Sequence, residues 1–286
     1  MTTPSSFFVF DNGVYTPTDL AQSAWSDDMI NGPAVVGALA RELESDHGVE
    51  GFQPARLTVD LFAPVRMTPL RVRTEAVREG RRIRVADAHI VQGDDDTPVA
   101  RASFVQLRRG EQPPGEIWHS DRVIEVPPQH AVDELGPFEF PVFDSDSSQQ
   151  RWTTTMGAHQ GPGRKRYWHH PLDVVDVEIG TPFQKAAVLA ETTSLMTNWG
   201  SEGIGFINTD LTLSLSRLPV SNDLGIEADN HISHDGVGIG TATLFDREGV
   251  FGVGTVVALS NAKRQIDFGG QANLRPSEVR AKPTTS

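Results

Sequence analysis

The feature that most constrains the fold is an internal repeat, in which one helix and then several strands occur twice along the chain. In each half, apolar residues at helical spacing precede runs of alternating apolar and polar residues, and the runs are separated by turn residues. The runs Leu57–Phe62 and Leu211–Ser216 resemble each other in the two halves. One helix per half cannot cover both faces of a parallel sheet, whereas an antiparallel sheet can wrap around a single helix. The repeat therefore predicts an α+β fold with two such units in tandem.

The two predicted helices have recognisable starts. The first begins near Asn31-Gly32-Pro33, where Asn31 can serve as the N-cap and proline is tolerated in the first turn because its missing N–H has no helical partner there. The second begins after Thr181-Pro182 and extends to Trp199, where a glycine-rich connection follows.

Composition and turn residues predict the boundaries of the units. We expect an N-terminal unit over residues 1–110, a proline-rich linker over 111–137, a C-terminal unit over 138–263 and a polar, mobile tail over 264–286. Short opening strands of the C-terminal unit are expected within 138–143, 150–155 and 165–170.

The overall charge restricts the classes of partner. The 286 residues carry a formal net charge of −13, which argues against nucleic acid and against anionic lipid surfaces, because both attract basic patches. There is no cysteine, which excludes disulfides and fits a cytoplasmic location. The N-terminal segment does not resemble a signal peptide, and no apolar run is long enough to cross a bilayer, so we expect no membrane insertion.

Several segments, taken in order, resemble one known family. The chain is similar to the double-hotdog, thioesterase-like proteins related to type II acyl-CoA thioesterases, over roughly residues 11–259. The segments that carry this resemblance are Trp25 with Asn31-Gly32-Pro33, Ala55–Leu61, Pro98–Ala102, Gly161-Pro162-Gly163, Trp168, Thr181-Pro182, and Ile207–Leu213 with Arg217 and Pro219. The resemblance implies two tandem hotdog folds, an acyl-CoA or acyl-carrier thioester as substrate, and neither a cofactor nor a metal. By analogy with the fold, a homo-oligomer is also plausible.

The resemblance implies a catalytic group of Asp, Ser or Thr, and Gln that orients a water for attack on the thioester. Asp210 matches the Asp. The Ser or Thr position falls at Asn230, or at His231 or Ser233 if the alignment shifts, and the Gln position falls at Val257. Strand alternation places Asn230 on an apolar face with Ile226, Ala228 and Ile232, where a structural hydrogen bond is as good an explanation as catalysis.

Other residues are candidates for substrate binding. Asn31 and Gly32 could offer oxyanion donors at a helix start, although capping alone explains them. Trp25 and Trp199 could line a substrate pocket, although large aromatics usually belong to the core. Glu191 could be a second acid in the cleft, but a solvated helix face is the favoured interpretation.

The basic cluster Arg78, Arg81, Arg82 and Arg84 is interpreted as a solvated hairpin, with contact to the phosphates of coenzyme A as the minority view.

Two functions follow from these patterns. The first is hydrolysis of an acyl thioester by a water that Asp210 orients. The second is a non-catalytic module that binds acyl-CoA or an acyl lipid, since Val257 and Asn230 replace the expected Gln and Ser or Thr.

Overall fold

The computed structural model describes residues 6–93, 95–133, 141–269 and 282–283. The helices are α1 (Gly32–His47), α2 (Gln129–Asp133), α3 (Pro182–Glu191) and α4 (Thr193–Asn198). The strands are β1 (Ser6–Asp11), β2 (Val14–Pro17), β3 (Phe52–Leu61), β4 (Leu70–Glu79), β5 (Ile83–Gln92), β6 (Asp95–Arg108), β7 (Val142–Ser145), β8 (Lys165–His169), β9 (Asp173–Val175), β10 (Trp199–Gly200), β11 (Gly203–Ile204), β12 (Phe206–Asn208), β13 (Asp210–Leu215), β14 (Leu224–His234), β15 (Val237–Asp246), β16 (Gly249–Ser260), β17 (Arg264–Gln265) and β18 (Lys282–Pro283).

One large sheet joins the two halves of the chain. Its strand order is β7-β8-β14-β15-β16-β13-β3-β6-β5-β4-β2-β1-β9, and β12 also pairs with β16. The meander β3 to β6 follows α1, and the meander β13 to β16 follows α3 and α4, as the repeat predicts. The two meanders meet edge to edge where β3 and β13 pair antiparallel, with Asp60 opposite Asp210. Only the β1–β9 pair among the described neighbours of this sheet is parallel.

Helices α1, α3 and α4 lie on one face of this sheet, whereas Val132 of α2 packs with Trp168 and Phe245 in a separate cluster. Strand β13 shows why, because Leu211, Leu213 and Leu215 are buried while the residues between them are only half-buried. Helix α4 approaches the sheet very closely at glycines. A Cβ on Gly240 would lie 2.0 Å from the hydroxyl oxygen of Thr197, so the sheet has room for this helix only where glycine is present.

The predicted helices are confirmed, with one difference. Asn31 caps α1, because its side-chain oxygen accepts a hydrogen bond from the amide of Ala34 at 2.9 Å. The second predicted helix is interrupted at Thr192 into α3 and α4, since the hydroxyl of Thr192 bonds back to the carbonyl of Leu189. Helices α1 and α3 run antiparallel, because Glu44 near the end of α1 contacts Thr181 at the start of α3.

A β-bulge in β14 overturns the predicted face of Asn230. Ala228 pairs with Ala242, but Asn230 pairs with Thr241, so the residue between them has no pairing partner. The bulge reverses the alternation, which leaves Asn230 exposed and turns His231 towards the helices, opposite the buried Gly240.

Two other expectations need correction. Residues 150–155 form no strand beyond a single bridge between Phe143 and Thr153. The predicted mobile tail is anchored where it begins, because Ile266 and Phe268 are buried in the core. Residues 270–281 and 284–286 of that tail, and residues 138–140 of an expected strand, lie outside the described residues.

Candidate active site

A buried carboxylate lies against the start of α1. Glu191 is the last residue of α3, and the antiparallel packing of the helices places it beside Gly32, the first residue of α1. A Cβ on Gly32 would lie 1.9 Å from Oε1 of Glu191, so any side chain at this position would displace the carboxylate. The first N–H groups of a helix have no intrahelical partners and carry the positive end of the helix dipole. Pro33 has no N–H and the Ala34 amide donates to Asn31, so the amide of Gly32 is the donor that this arrangement pairs with the carboxylate.

The surroundings of Glu191 alter its acidity. The residue is only 8% exposed, and this burial raises the pKa of its carboxyl to about 7. One hydrogen bond, from Nδ2 of Asn208 at 3.1 Å, favours the ionised form and opposes the shift. A carboxyl that titrates near neutral pH can accept a proton from water. The expectation that Glu191 lies on a solvated helix face is therefore wrong.

A second glutamate holds the corresponding position at the other end of the helix pair. Glu44 belongs to the last turn of α1 and lies beside the start of α3. Its carboxylate accepts hydrogen bonds there from the hydroxyl of Thr181 at 2.5 Å and from Nε2 of Gln184 at 3.1 Å. Burial raises the pKa of Glu44, and these two bonds act against the increase. Because one oxygen of Glu44 already accepts from two side chains, the two ends of the helix pair are not chemically equivalent.

Asp210 lies at the start of β13, on the face opposite the buried leucines. Its Oδ1 accepts a hydrogen bond from the amide of Val257 at 2.8 Å. Burial and the charge of Asp60 on the neighbouring strand raise the pKa of Asp210, and the bond from Val257 lowers it. Asn208 connects the two acidic residues, because its Nδ2 also lies 3.4 Å from the carbonyl oxygen of Asp210. The backbone of Asp210 is thus close to Glu191, although its side chain belongs to the other face of the sheet.

The structure does not bring Asp210 and Asn230 together. The strands that carry them, β13 and β14, are separated by β16 and β15 in the sheet. Three strand spacings correspond to roughly 14 Å along the sheet. Val257 lies beside Asp210, as the resemblance implies, but contributes a backbone N–H where a Gln side chain is expected.

The remaining candidates fall into different surroundings. The side chain of Asn31 caps α1 and also donates to the carbonyl of Leu20, so both its ends are engaged within the protein. Gly32 is at the site beside Glu191. Trp25 is half-buried against the core, and Trp199 is buried in the wall of a cavity at the end of α4.

In the described parts of the chain, no cluster of three His, Cys, Asp or Glu side chains could hold a metal ion. No helix within the same parts is long and apolar enough to cross a membrane.

Family models match both halves of the chain. The model of the acyl-CoA thioesterase N-terminal domain matches residues 21–107, and that of the acyl-CoA thioesterase C-terminal domain matches residues 120–259. The chain belongs to the acyl-CoA thioesterase family. A sequence comparison of this family member with curated proteins finds no match.

Solved structures support the fold of this family member. The tesB protein of Mycobacterium avium subspecies paratuberculosis is 15% identical, with a TM-score of 0.61 over 90% of this chain and 97% of that one. Acyl-CoA thioesterase II from Mycobacterium marinum is 15% identical, with a TM-score of 0.58 over 88% and 93% of the two chains. A protein described as having a hot dog fold, from Alicyclobacillus acidocaldarius, is 17% identical, with a TM-score of 0.62 over 88% and 95%. At such identities the likeness shows the hotdog fold.

Sequence reasoning undervalued Glu191 for a physical reason. Within α3, only the neighbours of a residue along the helix are visible in the sequence, and they do not reveal that another helix begins against it. A usable signal was present in the sequence, because residues Ala186–Ala190 are all apolar and leave no polar stripe, and the structure buries every residue from Phe183 to Glu191. A helix buried on all sides leaves no solvated face for a glutamate.

Proposed function

We propose that this protein hydrolyses acyl-CoA thioesters, with Glu191 as the general base and the first turn of α1 as the oxyanion-binding element. The observation that carries the proposal is the position of the buried Glu191 carboxylate against Gly32, with a pKa of about 7. The family models support the substrate class, because both halves of the chain match acyl-CoA thioesterase domains.

The reaction needs a water, a base and a group that stabilises negative charge. A water between Glu191 and the thioester carbonyl transfers a proton to the carboxylate while its oxygen bonds to the carbonyl carbon. The carbonyl oxygen becomes an oxyanion, which the amide of Gly32 at the start of α1 stabilises. The intermediate then breaks its C–S bond, and the thiolate that leaves takes the proton from Glu191. The products are a carboxylic acid and a free thiol, and Glu191 returns to its ionised form.

The proposal retains Asp210 as a second candidate carboxylate, on the opposite face of the sheet from Glu191. Its match to the Asp of the family motif supports this role, and its backbone carbonyl lies 3.4 Å from Nδ2 of Asn208, which donates to Glu191. Val257 supplies only a main-chain donor to Asp210, so the Gln of the usual water-positioning group has no side-chain equivalent here. Glu191 compensates for the missing Gln side chain, because it provides a general base on the helix side of the sheet.

We further propose that the chain is a double hotdog, with one hotdog formed around α1 and the other around α3 and α4. The repeated order of helix and meander supports it, as does the edge pairing of β3 with β13. In this architecture the active site lies between the two hotdogs, because Gly32 comes from the first and Glu191 from the second.

The test is release of free thiol from a panel of short, medium and long acyl-CoA thioesters. Loss of a general base typically lowers the rate by about 10²–10⁴-fold, so we expect Glu191→Gln to lower kcat at least about 100-fold. Glutamine preserves the shape of the side chain and can still accept the bond from Asn208. The matched control is Glu44→Gln, which changes the corresponding glutamate at the other end of the helix pair and should leave kcat within about twofold of the wild type.

Asp210→Asn tells the two carboxylates apart. If it abolishes hydrolysis while Glu191→Gln does not, Asp210 is the base and the assignment to Glu191 is wrong. If the wild-type protein binds acyl-CoA but releases no thiol from any member of the panel, the protein is the non-catalytic binding module instead.

A further inference from the structure

A second β-bulge lies beside Glu191, between β12 and β13. Asn208 at the end of β12 is opposite Ala258, whereas Thr212 in β13 is opposite Thr255. The three residues between Asn208 and Thr212 therefore oppose only two residues of β16, and the extra residue reverses the alternation of side chains. Asn208 consequently reaches the helix side of the sheet, although Asp210 two positions later faces the other side.

Phe206 shows the same reversal. It lies two residues before Asn208 and shares its face, and a Cβ on Gly238 would lie 3.1 Å from its ring. Gly238 is buried in β15, on the face where Gly240 meets α4. The side chains of Phe206 and Asn208 are thus both directed towards the helices.

Hydrogen bonds hold the bulge in place. The amide and the hydroxyl of Thr209 donate to the carbonyl of Val257 at 2.8 and 3.1 Å, and the amide of Val257 donates to Oδ1 of Asp210 at 2.8 Å. Both main-chain polar groups of Val257 are therefore paired, although the regular ladder is interrupted. The backbone that carries Asn208 is fixed before any substrate binds.

The side-chain amide of Asn208 connects this backbone to Glu191. Its Nδ2 lies 3.1 Å from Oε1 of Glu191 and 3.4 Å from the carbonyl oxygen of Asp210. The amide nitrogen of asparagine carries two hydrogens, one for each of these acceptors. The strand therefore orients the amide, and the amide orients the carboxylate.

The two carboxylate oxygens of Glu191 have different surroundings. Oε1 accepts the bond from Asn208, whereas Oε2 accepts none from the described residues. Oε2 is also not fully enclosed, in contrast to unpartnered atoms such as Oγ1 of Thr193. Oε2 is therefore the carboxylate oxygen that a water can reach.

Among the described residues, only Asn208 has a polar group that acts on the acidity of Glu191. Burial raises the pKa of Glu191, the bond from Asn208 lowers it, and no charged side chain contributes. Gly32 at the start of α1 is uncharged, and the Asp210 carboxylate is on the other face of the sheet. Removal of the Asn208 amide should therefore raise the pKa of Glu191.

We propose that Asn208 is a positioning residue for Glu191, an inference that rests on the proposed function. Asn208 holds Oε1, so Oε2 takes the proton from the attacking water. Its N–H also favours the ionised carboxylate, which is the form that acts as a base. Asn208 acts through Glu191 and not on the substrate.

The pH profile of kcat tests this role, measured by thiol release from one acyl-CoA between pH 5 and 10. Asn208→Leu removes the donor at similar volume and should move the midpoint of the profile upwards by about one to two pH units, as expected for one hydrogen bond to a charged group. Asn208→Asp preserves the shape but places a second carboxyl beside Glu191, so its midpoint should move further than that of Asn208→Leu.

Gln184→Leu is the matched control. Nε2 of Gln184 donates to Glu44 at 3.1 Å, so this variant removes the same kind of bond at the other end of the helix pair. It should leave the midpoint at the wild-type value. A purely structural role of Asn208 would lower kcat by the same factor at every pH. Midpoints of Asn208→Leu and Asn208→Asp that equal that of the wild type overturn the proposal.

Carbon-13 NMR of the glutamate side-chain carboxyls keeps the test independent of hydrolysis. The resonance of Glu191 is assigned by its loss in Glu191→Gln, and its titration is followed in wild type and in Asn208→Leu. If the wild type releases no thiol, the proposed function fails, but a higher pKa of Glu191 in Asn208→Leu still supports control of this carboxyl by Asn208. The same titration in both proteins overturns it.

Discussion

At the scale of the residue, the chemistry depends on which glutamate carboxylate has fewer hydrogen-bond donors. Glu191 has one side-chain donor, Asn208, and a pKa of about 7. Glu44 has two donors on one oxygen, Thr181 and Gln184. Both glutamates lie against the start of a neighbouring helix, but Glu191 is buried and has one donor, whereas Glu44 is half-buried and has two. These differences make Glu191 a candidate base and Glu44 a structural cap.

The pH dependence of hydrolysis follows from the acidity of Glu191. A base must be ionised to accept a proton, and the Glu191 carboxyl ionises with a pKa of about 7. We expect kcat to rise about tenfold per pH unit below 7 and to level off above it, measured by thiol release between pH 5 and 9. The residual activity of Glu191→Gln should lack this rise. A wild-type profile that is flat between pH 5 and 7 would contradict the role of Glu191.

At the scale of the element, α1 and β14 show opposite degrees of predictability. The Asn31 cap and the proline after it are local signals, and α1 begins where they indicate. The bulge in β14 has only a weak signal, which is the polar Asn230 at a position where the alternation from Ile226 to Ile232 requires an apolar residue. The bulge arises from the pairing of β14 with β15. It places Asn230 on the face predicted for His231, and His231 on the face predicted for Asn230.

Removal of the α1 cap tests the element that presents Gly32. Asn31→Ala deletes the acceptor for the Ala34 amide, so we expect a loss of about 1 kcal/mol in the free energy of unfolding. Asn31→Ser retains a side-chain acceptor and should recover most of that loss. The measurement is urea denaturation of the three proteins. Equal stability of Asn31→Ala and the wild type would show that the cap does not stabilise the helix.

At the scale of the whole molecule, the antiparallel packing of α1 and α3 creates both glutamate sites. Each helix begins against the last turns of the other, with Gly32 beside Glu191 and Thr181 beside Glu44. The edge pairing of β3 with β13 holds the two halves in this register. The molecule therefore contains a buried acid that the unfolded chain would expose to water, and its stability must depend on pH.

The stability of the wild type should fall as the pH rises through the titration of Glu191. Burial raises the pKa of Glu191 from 4.5 to about 7, so between these values the folded protein retains a proton that the unfolded chain has lost. At about 1.4 kcal/mol per pKa unit, the loss of stability by pH 8 is at most about 3 kcal/mol. Glu191→Gln does not titrate, so its stability relative to the wild type should increase from pH 5 to pH 8 in urea denaturation. A difference that is the same at both values would contradict the raised pKa.

The sequence by itself determined the elements and the family, because helix caps, alternating strands and turn residues act over a few neighbouring positions. Such local patterns identify the Asn31 cap, the run Leu211–Leu215 and the repeated order of helix and meander. The tertiary structure alone decided the chemistry of Glu191. Its acidity arises from burial against α1, a helix that begins about 160 positions earlier in the chain, and no local pattern carries that contact.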